Sequence, residues 1–359
     1  MKKILVYPYT YENSLLAFYE NSCQLFEIKG FLIDSFSLYV GRDATFYSKD
    51  KSNVYVYGVN EISNLIFDGV LVTQIYSDIE LENYLKIERF AIENGKKIYV
   101  FDEIVNTGII KNLNSIEILG EREKNLMLDG NFHEIDIPII SIMSTGLSCD
   151  KLDVQLLLTD LFTKNGYKTL AIGSNKYSEF FGIKYYPDFM FSKEISLDKK
   201  IIMFNNYIYK LLKEDKVDIL ILSVPGGILR SNNQNPNFFG ELAYVISEAL
   251  LIDINILCVN FTDDLTIEYL EKVREICRIR YNRVAEYINI SATASRLKPS
   301  ENGEEDEIEY INLPYRFVKE HFPKICGTDA HIFCAKYYLG DVPNEENVLL
   351  QLTEGIEVL

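Results

Sequence analysis

The sequence predicts an α/β protein, with a doubly wound parallel sheet of P-loop-like layout and a smaller Rossmann-like domain at the N terminus. Short apolar runs of β-type residues alternate with stretches of helical spacing along most of the chain. With 359 residues, 48% of them hydrophobic, the chain is long enough to bury two cores. Near its middle, a strand runs into a loop that ends in a lysine, and a helix follows at once.

The first half of the chain opens with a strand over residues 3–8 and a helix over 11–20. Further strands are expected at 31–34, 69–73 and 97–101, with an amphipathic helix over 81–94. This alternation implies a parallel sheet covered on both faces. Because residues 106–135 are polar and break the periodicity, we divide the chain into domains 1–130 and 131–359.

Two loops of the first domain are candidate ligand sites. The turn after the first strand reads Tyr-Pro-Tyr-Thr-Tyr and lacks the glycines that a dinucleotide fingerprint needs, so a cofactor is not expected there. The stretch Gly41, Arg42, Asp43 allows two interpretations. Its charged side chains could meet a ligand, or they could form a plain turn with a local ion pair.

The second domain shows a regular order of elements. Strands are expected at 139–143, 168–172, 217–223, 255–260 and 285–290, and helices at 152–165, 194–214, 239–251 and 265–277. Repeated crossovers of this kind give a doubly wound sheet. The acidic stretch 297–309 is predicted to be a solvated loop, and the tail after Pro314 to dock as one or two helices.

The loop from Ser144 to Lys151 has the position of a P-loop. A P-loop cradles phosphates with backbone amides, neutralises them with a lysine and binds magnesium through a hydroxyl at the start of the helix. Here Gly146 is the one glycine, Asp150 stands before the lysine where a glycine belongs, and Asp153 lies near the place of the magnesium hydroxyl. Lys151 therefore has two interpretations: a ligand for phosphate or carboxylate, or an ordinary ion pair with Asp150 or Asp153.

The strand at 217–223 resembles the second nucleotide-binding strand of P-loop proteins and runs into a Pro-Gly-Gly turn. Ser223 stands where an acid is normally expected, which weakens a second magnesium contact. We expect this turn and the lysine loop to meet at one end of the same sheet. The candidate cofactor-binding residues are Ser144, Thr145, Gly146, Lys151, Asp153, Ser223, Gly226 and Gly227. No catalytic residue is assigned, and the possible cofactor is ATP or GTP with magnesium.

Several blocks between residues 135 and 260 carry a resemblance to a known family. They are 150–157 (DKLDVQLL), 172–175 (IGSN), 178–182 (SEFFG), 186–190 (YPDFM) and 223–227 (SVPGG). In these blocks the chain resembles a peptide maturation system protein family encoded with radical SAM enzymes in natural-product clusters of anaerobic bacteria. The resemblance implies a role in making a bacteriocin-like modified peptide, with the precursor peptide or the radical SAM enzyme as partner.

More distantly, the same stretch is similar to a P-loop-type family of poorly defined function. Lys151, Gln155, Gly173 and the block 179–182 match its pattern, whereas Ser144 and Asp150 stand in place of loop glycines. These departures put nucleotide hydrolysis in doubt.

Composition narrows the classes of partner and the cellular location that the sequence allows. The formal net charge of −17 opposes binding to nucleic acid or to an anionic membrane, and no apolar run is long enough to cross a bilayer. Scattered cysteines favour reduced thiols and a cytoplasmic location. Cys326, His331 and Cys334 lie close in sequence, but a structural zinc site needs a fourth ligand, and we predict no metal there. His133 and His321 are expected at the surface.

Two functions remain open from the sequence. The first is an accessory protein of peptide maturation that binds the precursor peptide or the modifying enzyme and carries a degenerate nucleotide site. The alternative is an ATP- or GTP-dependent enzyme that uses Lys151 and Asp153 in an atypical P-loop. The chain lacks a CxxxCxxC motif, so it is not itself expected to be the radical enzyme.

Overall fold

The protein is represented by a computed structural model that describes residues 1–110, 116–120, 123, 130–230, 240–262, 265–298, 307–322 and 328–354. The chain forms two compact units. The first comprises Met1–Arg122 and Asn175–Ile183, and the second comprises Glu123–Ser174 and Lys184–Leu359. A single boundary near residue 130 stays a prediction. The periodicity gave no sign that residues 175–183 belong to the first unit.

The first unit is built on a six-stranded parallel sheet. Its strands are β1 (Lys2–Tyr7), β2 (Phe26–Ile33), β3 (Val56–Gly58), β4 (Gly69–Val72), β5 (Lys97–Phe101) and β6 (Ile116–Leu119). They lie in the order β3-β2-β1-β4-β5-β6, and all neighbours are parallel. This is the strand order of Rossmann folds, so the prediction of a Rossmann-like N-terminal part is confirmed.

The described part of this unit has three α-helices: α1 (Leu15–Phe18), α2 (Asp78–Glu93) and α3 (Asp102–Asn106). The helix predicted over residues 11–20 is wrong for most of its length. Thr10 and Asn13 exchange side chain–backbone hydrogen bonds, and Ser14 Oγ donates to Tyr11 O at 2.6 Å. Such local bonds compete with the helical pattern and favour a turn.

The second unit contains a larger mixed sheet and, among its described residues, six further helices. Its strands are β7 (Ile139–Ser144), β8 (Thr169–Gly173), β9 (Lys184–Tyr185), β10 (Ile219–Ser223), β11 (Ile254–Phe261), β12 (Ala285–Lys298), β13 (Glu307–Asn312), β14 (His331–Cys334) and β15 (Leu339–Gly340). Its helices are α4 (Lys151–Lys164), α5 (Leu197–Glu214), α6 (Glu241–Ala249), α7 (Ile267–Tyr281), α8 (Tyr315–His321) and α9 (Glu345–Glu354).

The strands of this sheet follow the order β15-β14-β12-β11-β7-β10-β8-β9, and β13 pairs with β12. Strands β8, β10, β7, β11, β12 and β14 are parallel, whereas β13 and β15 are antiparallel to their neighbours. The predicted doubly wound α/β layout is confirmed. Since β7 lies between β10 and β11, the loops that follow these three strands emerge at the same edge of the sheet.

Two predictions about the C-terminal part need correction. The solvated loop predicted at 297–309 is wrong at both ends, because β12 runs to Lys298 and β13 begins at Glu307. The acidic block 304–307 lies, apart from Glu307, outside the described residues. The tail after Pro314 adds β14 and β15 to the sheet as well as the expected helices. Among the helices of the described chain, none combines the length and apolarity needed to cross a bilayer.

Candidate phosphate-binding site

The loop between β7 and α4 is held in the centre of the second sheet. All six residues of β7 are buried, and its last residue, Ser144, pairs with Cys258 of β11. The backbone continues with a bond from Thr145 N to Cys258 O at 2.9 Å. The loop therefore begins from a rigid base between the two neighbouring strands.

Lys151 and the turn after β10 meet at this edge, as the sequence predicted. Lys151 Nζ donates to Val224 O at 2.5 Å and to Gly226 O at 2.7 Å. Ser144 Oγ lies 3.0 Å from the same Gly226 oxygen and 2.7 Å from Gly146 O. Ser144, Gly146, Lys151 and Gly226 are thus one cluster, with Gly227 next in the same buried turn.

The predicted ion pair of Lys151 with Asp150 or Asp153 is wrong. Asp150 turns its carboxylate to β12, where it accepts from Ala292 N at 2.6 Å and from Thr293 Oγ1 at 3.1 Å. The ammonium of Lys151 bonds only to the two backbone carbonyls, within the described part of the chain. The negative charge of Asp150 is therefore engaged on the far side of the loop.

The backbone of the loop offers a run of unpaired donors. Ser148 and Asp150 adopt left-handed φ angles of 52° and 54°. Among the residues that the structure describes, no N–H group from Leu147 to Leu152 donates to another atom, whereas Gly146 interacts through its backbone with the Cys149 thiol. Left-handed residues that alternate with ordinary ones orient successive amides together, and the start of α4 adds the positive end of its dipole. Such an arrangement binds anions.

Burial also shifts the pKa values of two titratable groups in this loop. It lowers the pKa of Lys151 to about 8, while the neighbouring thiols of Cys149 and Cys258 act in the opposite direction. Burial raises the pKa of Cys149 to about 11, so its thiol stays protonated at neutral pH. Cys149 Sγ lies 3.2 Å from Asn260 Oδ1, which ties the loop to the end of β11. An anion bound beside such a lysine favours the charged ammonium and raises its pKa again.

The residues present do not fit a magnesium site. Leu152 stands directly after the lysine, and Ser223 ends β10 as a buried hydroxyl instead of a carboxylate. The buried Asp153 acts electrostatically on Cys334 and Tyr338, in the segment around the end of β14, and is not among the charges that shift the pKa of Lys151. Across the described chain, no group of three His, Cys, Asp or Glu side chains is placed to hold a metal ion.

A cleft of about 230 Å³ opens directly beside the loop. Thr145 and Gly146 form one wall, and Asn260 and Tyr269 contribute another. The β12–β13 pair faces it with Ser295 and Tyr310, which are cross-strand partners. Among the described lining residues there is no Asp or Glu, whereas Arg230 and Arg296 both contribute positive charge, so the cleft suits an anionic group next to the loop.

The other sequence candidates have structural explanations. Asp43 accepts bonds from the backbone of Thr45 and Asn53 and from Ser52, so it organises its own turn. The guanidinium of Arg42 lies over the ring of Phe46 instead of pairing with Asp43. The predicted local ion pair is therefore wrong, although the turn is correct.

The histidines and the cysteine group fall in different settings. His331 stacks on Tyr287 and Cys334 is buried in β14, while Cys326 lies outside the described residues. His321 is exposed, as expected. His133 is only partly exposed, because its ring stacks on Tyr209 with centroids 3.8 Å apart.

Sequence reasoning missed the residues that fix the loop from the β11 and β12 side. Asn260 and Thr293 carry polar side chains at strand positions near the carboxyl edge of a parallel sheet. That position was the available signal, because ligands of this fold class bind there. The predicted end of β12 near residue 290 hid Thr293 from this argument.

Comparison with known proteins supports the fold. A DUF1611 family protein from Anabaena variabilis ATCC 29413 superposes with a TM-score of 0.51 at 9% identity, covering 81% of this chain and 88% of that one. Chloroplast FtsY from Physcomitrella patens gives a TM-score of 0.29 at 13% identity, with 46% and 53% covered. A nucleotide-binding protein from Archaeoglobus fulgidus in complex with ADP gives 0.28 at 13% identity, with 60% and 86% covered.

No family model matches the chain, and no curated protein matches it in sequence. The DUF1611 family protein therefore supports the architecture alone, since its identity to this chain is low. The two lower-scoring structures add nothing to the argument about this site.

Proposed function

We propose that the second unit binds the phosphate groups of a nucleotide on the loop between β7 and α4, without hydrolysing them. The observation that carries the proposal is the run of unpaired amides from Leu147 to Leu152 in the loop that ends at the partly buried Lys151. Amides at a helix start combined with a lysine are the phosphate-binding elements of P-loops. The polar cleft beside Thr145 and Gly146 gives room for the adjoining part of such a ligand.

We infer no hydrolytic role, because the residues at the magnesium-binding positions lack the required chemistry. Hydrolysis of a nucleotide by a P-loop protein uses magnesium held by a hydroxyl after the lysine and by an acid on the neighbouring strand. Leu152 and Ser223 stand at those places, and Asp153 faces another part of the fold. We therefore infer that bound phosphate serves structure or regulation. A role in peptide maturation and a cytoplasmic location stay predictions from the sequence.

Isothermal titration with ADP, ATP and GTP tests this proposal. We expect binding by the wild-type protein, an affinity lower by at least about tenfold in Lys151→Met, and little effect of magnesium. Lys164→Met is the matched control, because Lys164 lies exposed at the other end of α4 and pairs with Asp160. Equal affinity in Lys151→Met and the wild type, or no binding of any of the three nucleotides, would overturn the proposal.

A further inference from the structure

A second, larger recess lies at the opposite edge of the same sheet, where β7 and β11 begin. Its volume is about 780 Å³, within the range of ligand-binding cavities. One wall is the segment 132–138 that leads into β7, and the other is formed by the end of α6 and the start of β11. We call it the amino-edge groove. It lies entirely within the second unit and is separate from the phosphate site.

The walls of the amino-edge groove are apolar and its charges are all of one sign. Phe132 and Leu251 are 59% and 67% exposed there. The charged residues that line it are Glu134, Asp136, Glu248 and Asp253, and no Lys or Arg is among the described lining residues. Apolar walls with several carboxylates fit an occupant that carries cations beside apolar side chains.

The segment 134–137 precedes β7 and alternates between exposed and partly buried side chains. Ile135 and Ile137 are partly buried against the core, whereas Glu134 and Asp136 between them are exposed. This alternation is the side-chain pattern of a half-buried strand. In the described chain, no backbone N–H or C=O of these four residues has a hydrogen-bond partner.

The segment is anchored just before this stretch. Asn205 of α5 accepts from His133 N at 2.7 Å and donates to His133 O at 2.9 Å. On its other side, β7 pairs with both neighbours from Ile139 onward. A short extended segment with both ends fixed and free backbone groups is a template for strand addition by a peptide.

We propose that the amino-edge groove binds an extended peptide that carries basic residues, added as a strand along 134–137. Main-chain hydrogen bonds to the segment supply the affinity, and pairing of Lys or Arg with Glu134 and Asp136 supplies the selectivity. The apolar side chains of the peptide rest on the exposed faces of Phe132 and Leu251. The proposal is independent of the phosphate site, because it uses none of its residues.

Fluorescence anisotropy with labelled hexapeptides tests this on the full chain. We expect a peptide of alternating lysine and valine to bind, and a peptide of alternating glutamate and valine not to bind. The same lysine–valine peptide with alternate backbone nitrogens methylated loses the donors for strand addition, and its affinity should fall by at least about tenfold. The double variant Glu134→Lys with Asp136→Lys should weaken the unmethylated peptide by a similar factor.

A charge-matched control separates a groove from general attraction to an acidic protein. Glu268→Lys with Glu320→Lys changes two exposed carboxylates of the same unit outside the groove. Equal weakening by both double variants, full affinity of the methylated peptide, or no binding of the lysine–valine peptide would overturn the proposal. Circular dichroism of each variant confirms that the fold is kept.

Discussion

Asp150 shows how one side chain can replace a glycine in a tight loop. Its φ angle of 54° is strained for a residue with a side chain, by roughly 1 kcal/mol relative to glycine. Its carboxylate offsets this with bonds to Ala292 N and Thr293 Oγ1. The carboxylate of Asp150, which neighbours Lys151 in the chain, therefore fastens the loop to β12.

Two substitutions at Asp150 separate the backbone strain from the hydrogen bonds. Asp150→Ala loses the bonds and keeps the strain, so we expect it to lower the free energy of unfolding by about 2–4 kcal/mol. Asp150→Gly loses the same bonds without the strain and should be about 1 kcal/mol more stable than Asp150→Ala. Urea denaturation measures both. A glycine variant more stable than the wild type would show that the bonds to β12 contribute less than the strain at Asp150 costs.

The depressed pKa of Lys151 gives the site a pH dependence of definite sign. Folding lowers this pKa from 10.5 to about 8, so between these values the unfolded chain holds a proton that the folded protein lacks. The unliganded protein therefore gains stability from this group as the pH rises from 8 towards 10.5. Phosphate binding needs the ammonium, so affinity for pyrophosphate should fall over the same interval.

Titration calorimetry in buffers of different ionisation enthalpy checks this prediction. At a pH near 8.5 the binding of pyrophosphate should be accompanied by proton uptake, because the bound anion restores the charge of Lys151. Lys151→Met should show no uptake linked to this group. Proton uptake of the same size in that variant would assign the linkage to another residue.

At the scale of elements, Asn205 connects three parts of the second unit. Its side chain bonds both backbone groups of His133 and also Ala249 O at 2.9 Å. The Asn205 side chain is fully enclosed, with 1% of its surface exposed. It therefore holds the segment before β7 against α5 and the end of α6.

Replacement of Asn205 by leucine should release that segment. The leucine leaves His133 N and O and the Ala249 carbonyl without their partner, at a cost of about 2–4 kcal/mol in the free energy of unfolding. Hydrogen exchange of the His133 amide, which donates to Asn205 in the wild type, should become faster, while exchange in the buried strand β10 stays slow. Unchanged exchange of the His133 amide would mean that other contacts position this segment.

Elements with a strong period were predictable, and those fixed by local polar bonds were not. The strand Lys97–Phe101 lies where its apolar run predicted, because burial on both faces of a parallel sheet selects such runs. The helix expected at 11–20 fails because the Asn13 side chain accepts from Thr10 N and the Ser14 hydroxyl donates to Tyr11 O. The part of β12 beyond residue 290 and the strand β13 were missed because their pairing is set by each other and not by a local pattern.

At the scale of the whole molecule, the candidate site was predictable from chain order and its chemistry was not. Order placed Lys151 and Gly226 at one edge of the sheet, and the structure brings them within 2.7 Å. The direction in which Asp150 points depends on Ala292 and Thr293, more than 140 residues away in the chain. A sequence period cannot carry that information, since the contact forms only after β12 packs beside β11.

The two proposed binding sites lie at opposite edges of the second sheet. The carboxyl edge holds the lysine cluster and its unpaired amides, and the amino edge holds the acidic groove. Strand β7 joins them, since it begins beside the groove and ends at Ser144. Each role is therefore testable in a variant that leaves the other edge unchanged.

The most direct test of the phosphate site is a backbone amide NMR titration with pyrophosphate. Chemical shifts should move at the amides from Leu147 to Leu152, where the described structure leaves donors unpaired, and these changes should be lost in Lys151→Met. Shift changes confined to other parts of the chain, or none at saturating pyrophosphate, would contradict the proposal that this loop binds phosphate.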